Sequence, residues 1–141
     1  MLKNIPAVIS PELLYNMMKM GHGDELVLAD GDFPVETFSK RVVYAYGHEI
    51  PVLLKAILKY YPLDPFVEKP VAIMAPVEQD AEEPPNWSKY RSIISKSDKR
   101  FKDFDYVERF KFYERAEKSF LVVATGEPDG NLILKKGVVM I

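Results

Sequence analysis

The sequence predicts a single α/β domain: a mixed, mostly parallel sheet with helices packed on it. Three observations carry that prediction. Strand-like and helix-like segments alternate along the chain instead of segregating. Two strand candidates, Val42-Val43-Tyr44-Ala45 and Val71-Ala72-Ile73-Met74, are unbroken apolar runs of the kind found in strands covered on both faces. The 141 residues are one domain's worth of chain, 1–141, with no repeat, low-complexity tract or long linker to divide them.

Taken in order, Ser10-Pro11-Glu12 opens the first helix. Ser10 can cap, Pro11 suits the first helical position, and Glu12 complements the dipole. Leu13, Leu14, Met17 and Met18 recur at helical spacing, and Gly21 stops the helix. A short strand follows over 25–29, then the turn-rich Asp30-Gly31-Asp32-Phe33-Pro34, with a short helical turn after the proline. The apolar run at 42–45 reads as an interior strand, with His48 in the loop beyond it. Pro51 begins a helix striped with Leu53, Leu54, Ile57, Leu58 and Tyr61, which Pro62 and Pro65 end. A buried strand is expected over 71–75 and an acidic surface loop over 79–85. Asn86 is placed to cap a helix that turns Trp87, Tyr90, Ile93 and Ile94 inward, before an exposed connection over 95–102. A strand at 104–109 leads into a helix at 110–119, then a strand at 120–125. A tight turn at 126–131 precedes closing strands at 132–134 and 138–141, which together suggest a terminal hairpin.

Composition removes several function classes. Hydrophobic residues at 48% and charged residues at 28% are ordinary for a globular protein. The net charge of −2 and the lack of a basic patch argue against a nucleic-acid partner. With no cysteine there is no disulfide, thiolate metal site or cysteine nucleophile, which fits a cytoplasmic setting. No apolar stretch has the length of an export signal or a membrane span, so no membrane partner is expected.

The chemistry-bearing stretch is Gly21-His22-Gly23-Asp24-Glu25, followed by a strand and Asp30. Ligands of open α/β sheets bind beyond the carboxyl ends of strands, where Asp30 falls. His22 and Asp30 are the minimum parts for general acid–base chemistry, although a glycine helix cap beside an exposed histidine explains the same spacing. Arg109, at the head of an aromatic-rich helix, and Asn131 add donors and an acceptor. Such short polar groups with aromatics suit a sugar, and equally an ordinary polar surface. The glycines lack the spacing of a dinucleotide or phosphate loop, and there is no Gly-x-Ser-x-Gly elbow. Two distant histidines make a zinc site a poor fit, and the acidic run at 78–83 lacks the order of a calcium loop.

These residues form a pattern. Ile9-Ser10-Pro11-Glu12-Leu13-Leu14, Met20-Gly21-His22-Gly23-Asp24-Glu25, Asp30 with Phe33-Pro34, Arg109-Phe110 with Phe112-Tyr113-Glu114-Arg115-Ala116, Thr125-Gly126-Glu127, and Gly130-Asn131 through Leu134-Lys135-Lys136-Gly137 resemble the ribose pyranase/fucose mutarotase family from end to end. Tyr113-Glu114-Arg115 favours its fucose branch. The resemblance implies an isomerase without cofactor or metal. It would interconvert the α and β anomers of a reducing monosaccharide, most simply L-fucose. D-ribose pyranase-type exchange and a non-catalytic sugar-binding oligomer are the alternatives. It implies His22 as the acid–base group, with Asp30, Arg109, Gly130 and Asn131 binding substrate. The family's Tyr-Gly-Asn triplet reads Asp129-Gly130-Asn131 here, in a shorter turn, so Asp129 stands where the family has a phenol. It also implies a ring-shaped homo-oligomer, a decamer being one such size, with a neighbouring chain completing the pocket.

Overall fold

A computed structural model describes residues 1–141. Helices α1 (Pro11–Lys19), α2 (Ile50–Leu58), α3 (Asn86–Ser97) and α4 (Arg109–Lys118) alternate with strands β1 (Glu25–Ala29), β2 (Val42–Ala45), β3 (Val71–Met74), β4 (Asp105–Val107), β5 (Leu121–Thr125) and β6 (Leu132–Lys135). The strands form one sheet in the order β2-β5-β1-β6-β3-β4. β5 runs parallel to both β1 and β2, and β4 parallel to β3, whereas β6 is antiparallel to its neighbours β1 and β3.

Alternation along the strands divides the core into two layers. Leu26 and Leu28 of β1 point to the side covered by α1, α2 and α3, where Leu13, Leu53, Leu54, Ile57, Tyr90 and Ile94 are buried. Val27 and Ala29 point to the opposite side, against Phe33, Val35, and Phe112 and Ala116 of α4. The helix starts follow the local chemistry. Ser10 accepts the Leu13 N–H at 3.1 Å, and Glu108 caps α4 by accepting the Phe110 and Lys111 N–H groups. Arg115 of α4 reaches Glu25 of β1 with contacts of 3.1, 3.1 and 2.5 Å and lies 3.6 Å from Asp105 of β4, tying the helix across the sheet.

The structure corrects four expectations. β2 is an edge strand, not an interior one, and Tyr44 is exposed. The terminal hairpin does not form: β5 and β6 are separated by β1, and 138–141 carry no strand. β6 instead gains two full partners by running between β1 and β3. Asn86 is the first residue of α3 rather than its cap, because its side chain is engaged by Glu127 at 2.9 Å. α3 also runs on to Ser97, through residues expected in the connection, with Ile94 fully buried.

Candidate functional site

Because β6 runs against β1 and β3, its first residues sit beside the carboxyl ends of those two strands: Leu132 is paired with Leu28 on one side and Ile73 on the other. The loop entering β6 therefore meets the loop leaving β1. Asn131 and Asp30 clasp each other there. The Asp30 N–H donates to Asn131 Oδ1 at 2.8 Å, and Asn131 Nδ2–H donates to Asp30 Oδ2 at 2.9 Å. The Gly130 N–H also points to Asp30 Oδ2, at 3.4 Å, and the Asp32 N–H donates to Oδ1 at 3.1 Å. Burial raises the Asp30 carboxyl above its ordinary value, against these hydrogen bonds, and nearby Asp129 adds to the rise.

This clasp forms part of the wall of a cavity of about 470 Å³. Arg109, Asp129, Gly130, Phe33, Trp87 and Tyr113 line it as well, together with the end of β3 and the residues that follow it, 74–78. Arg109 Nε–H donates to the Tyr113 hydroxyl at 2.9 Å, and its guanidinium lies over the Phe110 and Tyr113 rings. Tyr113 is itself stacked on Phe38 at 4.7 Å and met edge-on by Phe33 at 5.4 Å, so the arginine rests on a fixed aromatic pile. Trp87 is buried, and its indole N–H is without a partner. Asp129 is exposed at the rim. No three His, Asp or Glu side chains gather in a way that could hold a metal ion, and no helix is long and apolar enough to cross a membrane.

Of the residues singled out in the sequence, Asp30, Arg109, Asp129, Gly130 and Asn131 share this cavity, and His22 does not. His22 lies in the loop before β1, and Asp30 follows β1, so a strand of about 16 Å separates them within one chain. The loop is shaped by Gly23 at φ +87°, whose N–H donates to the Lys136 carbonyl at 2.8 Å, and by Asp24 Oδ2, which accepts the Gly21 N–H at 2.7 Å. His22 Nε2 is 3.1 Å from Oδ1 of Asp64, a buried residue that the sequence did not point to. Burial alone would raise Asp64, but the Phe66 N–H and the imidazole outweigh it and hold the carboxyl below its ordinary value. The ring of His22 is 5.5 Å from Phe66, and its side chain is 45% exposed, so the imidazole is presented outward from a fixed mount. His48 is an exposed turn residue whose carbonyl accepts the Gly126 N–H at 2.7 Å.

Fold and cavity together define an α/β protein with a polar, aromatic-lined cavity at the carboxyl end of β1, where ligands of open α/β sheets bind. The chain belongs to the RbsD / FucU transport protein family, which it matches over residues 3–139. It is 49% identical over 145 residues to the fucose mutarotase of Homo sapiens, an alignment covering 97% of this chain and 94% of that one. Its fold superposes on the crystal structure of the fucose mutarotase from Streptococcus pneumoniae in complex with L-fucose with a TM-score of 0.90 at 41% identity, covering 99% of this chain and 100% of that one. The FucU structure from Bifidobacterium longum gives 0.93 at 46% identity, covering 98% and 100%.

Proposed function

We propose that this protein is a monosaccharide mutarotase that interconverts the α and β anomers of L-fucose. The observation that carries the reading is the cavity of about 470 Å³ whose lining brings together the Asp30–Asn131 clasp, Arg109 and the rings of Phe33, Trp87 and Tyr113. Carboxylate, amide and guanidinium recognise hydroxyls at a sugar's edge, and rings accept its C–H faces. The relatives named fucose mutarotase support the choice of sugar.

The reaction opens and recloses a hemiacetal. A base takes the proton of the anomeric hydroxyl, an acid protonates the ring oxygen, and the C1–O5 bond breaks to leave an open aldehyde. Rotation about C1–C2 presents the other carbonyl face, and the same proton transfers in reverse close the ring with C1 inverted. The proton lost at the anomeric hydroxyl is balanced by the one gained at the ring oxygen, and no carbon changes its oxidation level, so acid–base groups suffice. We assign one of the proton transfers to His22. Asp30 accepts a sugar hydroxyl, while Arg109 and Asn131 fix the remaining oxygens, with Gly130 and Asp129 bordering them.

His22 reaches a sugar in the cavity only from a neighbouring copy. That contact joins the amino end of β1 in one subunit to the carboxyl end of β1 in the next. A head-to-tail contact of this kind closes into a ring when its rotation permits, which agrees with a ring-shaped homo-oligomer. A cytoplasmic setting goes with this reading.

Saturation-transfer NMR of L-fucose tests it. Exchange between the two anomers accelerates in proportion to protein concentration; a rate equal to that of the protein-free control for L-fucose overturns the assignment, and the same measurement with D-ribose separates the two sugar classes.

A further inference from the structure

One buried polar group beside the cavity takes no part in the steps above. Glu127 is 1% exposed. One carboxylate oxygen accepts the Asn86 Nδ2–H at 2.9 Å and the other accepts the Tyr90 hydroxyl. Tyr90 is fully buried on α3. The backbone of Glu127 ties down both loops that form the clasp. Its carbonyl accepts the Gly31 N–H at 2.9 Å, next to Asp30, and its N–H donates to Thr125 Oγ1 at 3.1 Å. That hydroxyl in turn donates to the Ala29 carbonyl at 2.7 Å. Burying a carboxylate is unfavourable, and a well-packed apolar group would serve stability as well or better, so the group's value lies in the geometry it imposes.

The geometry it imposes is at Gly130. A Cβ on this residue would overlap the Tyr90 hydroxyl and lie 3.1 Å from Cζ. The phenol is thus the floor on which Gly130 rests, and Gly130 bears on Asp30 through its N–H and leads directly into Asn131. We infer that Tyr90 and Glu127 are positioning residues of the sugar site: the phenol, held by the buried carboxylate, sets the height of Gly130 and thereby the alignment of Asp30 with Asn131. The inference deepens the sugar-site reading and rests on it.

Three variants test it: Tyr90→Phe, Gly130→Ala and the double variant. Tyr90→Phe removes the hydroxyl and leaves the ring, so the fold persists, which thermal unfolding checks. Anomer exchange on L-fucose then falls about tenfold in kcat/KM, and calorimetric sugar affinity weakens with it. Gly130→Ala alone loses more, because its methyl strikes the hydroxyl. Adding Tyr90→Phe opens that space, so the double variant recovers activity relative to Gly130→Ala. A strictly additive double variant, or Tyr90→Phe with kcat/KM within about twofold of the parent, overturns the positioning role. Amide NMR provides a readout independent of turnover. The Asn131 side-chain NH2 and Gly130 N–H resonances shift in Tyr90→Phe; unmoved resonances overturn the inference whether or not the protein is a mutarotase. Failure of the parent protein to accelerate exchange on any reducing sugar overturns the mutarotase reading alone.

Discussion

Asp30 and Asn131, 101 positions apart in sequence, are joined by two hydrogen bonds that together use the acceptor and a donor of the asparagine amide: main-chain N–H to Oδ1 at 2.8 Å, and Nδ2–H to carboxylate at 2.9 Å. The amide is oriented by this arrangement, since exchanging its O and N would set donor against donor and acceptor against acceptor. The carboxylate is held in turn, Oδ2 by Asn131 and Gly130 and Oδ1 by the Asp32 N–H, which leaves Oδ1 one further lone pair.

Replacing Asp30 by Asn leaves one acceptor oxygen where there were two, so either the Asp32 N–H or the Asn131 Nδ2–H and Gly130 N–H lose their partner, and the charge is lost with it. Hydrogen bonds to charged groups contribute ~1.5–3 kcal/mol, so kcat/KM for anomer exchange is expected to fall about 10- to 100-fold. Chiefly KM should rise if Asp30 holds a hydroxyl; a variant with KM unchanged and only kcat lowered would instead give Asp30 a proton-transfer role.

His22→Ala keeps the sheet intact but removes the outward-facing imidazole. Loss of one acid–base group costs on the order of 10²–10⁴ in rate, with sugar binding largely retained. Saturation-transfer NMR and calorimetry on one sample separate the two effects.

Because His22 and Asp30 lie at opposite ends of β1, two inactive variants should complement each other. Mixed assemblies of His22→Ala and Asp30→Asn, made by co-expression, carry some sites with an intact histidine from one subunit and an intact aspartate from the other. Exchange activity above that of either variant alone is expected. Absence of complementation in assemblies shown to be mixed would confine the site to one chain.

Stability should respond to pH in two opposed ways. Burial raises the Glu127 carboxyl above 4.5, so its contribution is fully present below that value and lost as pH rises through the folded value. Asp64 is held below 3.8, so its contribution is present above 3.8 and lost as pH falls through the lowered value. Thermal unfolding of Glu127→Gln, compared with the parent from about pH 4 to about pH 7, should show the variant's relative Tm climbing with pH. A constant difference would mean that the carboxyl titrates as it does in the unfolded chain.

Trp87 is the only tryptophan, and it borders the cavity. Saturating L-fucose should change its emission, with a midpoint that matches calorimetry, and Trp87→Phe should abolish the signal. Unchanged emission at saturation would place the sugar away from α3.

The local features were legible in the sequence because local chemistry fixes them. The Ser10 cap, the proline in the first turn of α2 and the strand at 25–29 follow from propensity and apolar patterning. The place of β6 did not follow, since pairing between distant strands leaves no local trace, and two apolar runs around a turn suggest a hairpin whether or not one forms. Asp30, Arg109 and Asn131 stood out by residue type, and Asp129 and Gly130 through the family resemblance, and the five share one cavity; within one chain the extended strand β1 keeps His22 out of it. Asp64 and Glu127 were missed for a common reason: each acidic residue lies in a turn-rich segment near prolines, and nothing in such a segment marks a carboxylate as buried.

The seam made by β6 has a consequence for how the molecule is born. Strands β2, β5 and β1 form one raft, β3 and β4 another, and the last strand is all that hydrogen-bonds them into one sheet. Asp30 belongs to the first raft, Arg109 stands just beyond the second, and Asn131 sits at the join. A nascent chain can therefore carry nearly all of its pocket residues and still have no pocket. The pocket forms only once β6 has joined the sheet, and a chain cut short before it is left with two half-sheets whose open edges invite the wrong neighbours.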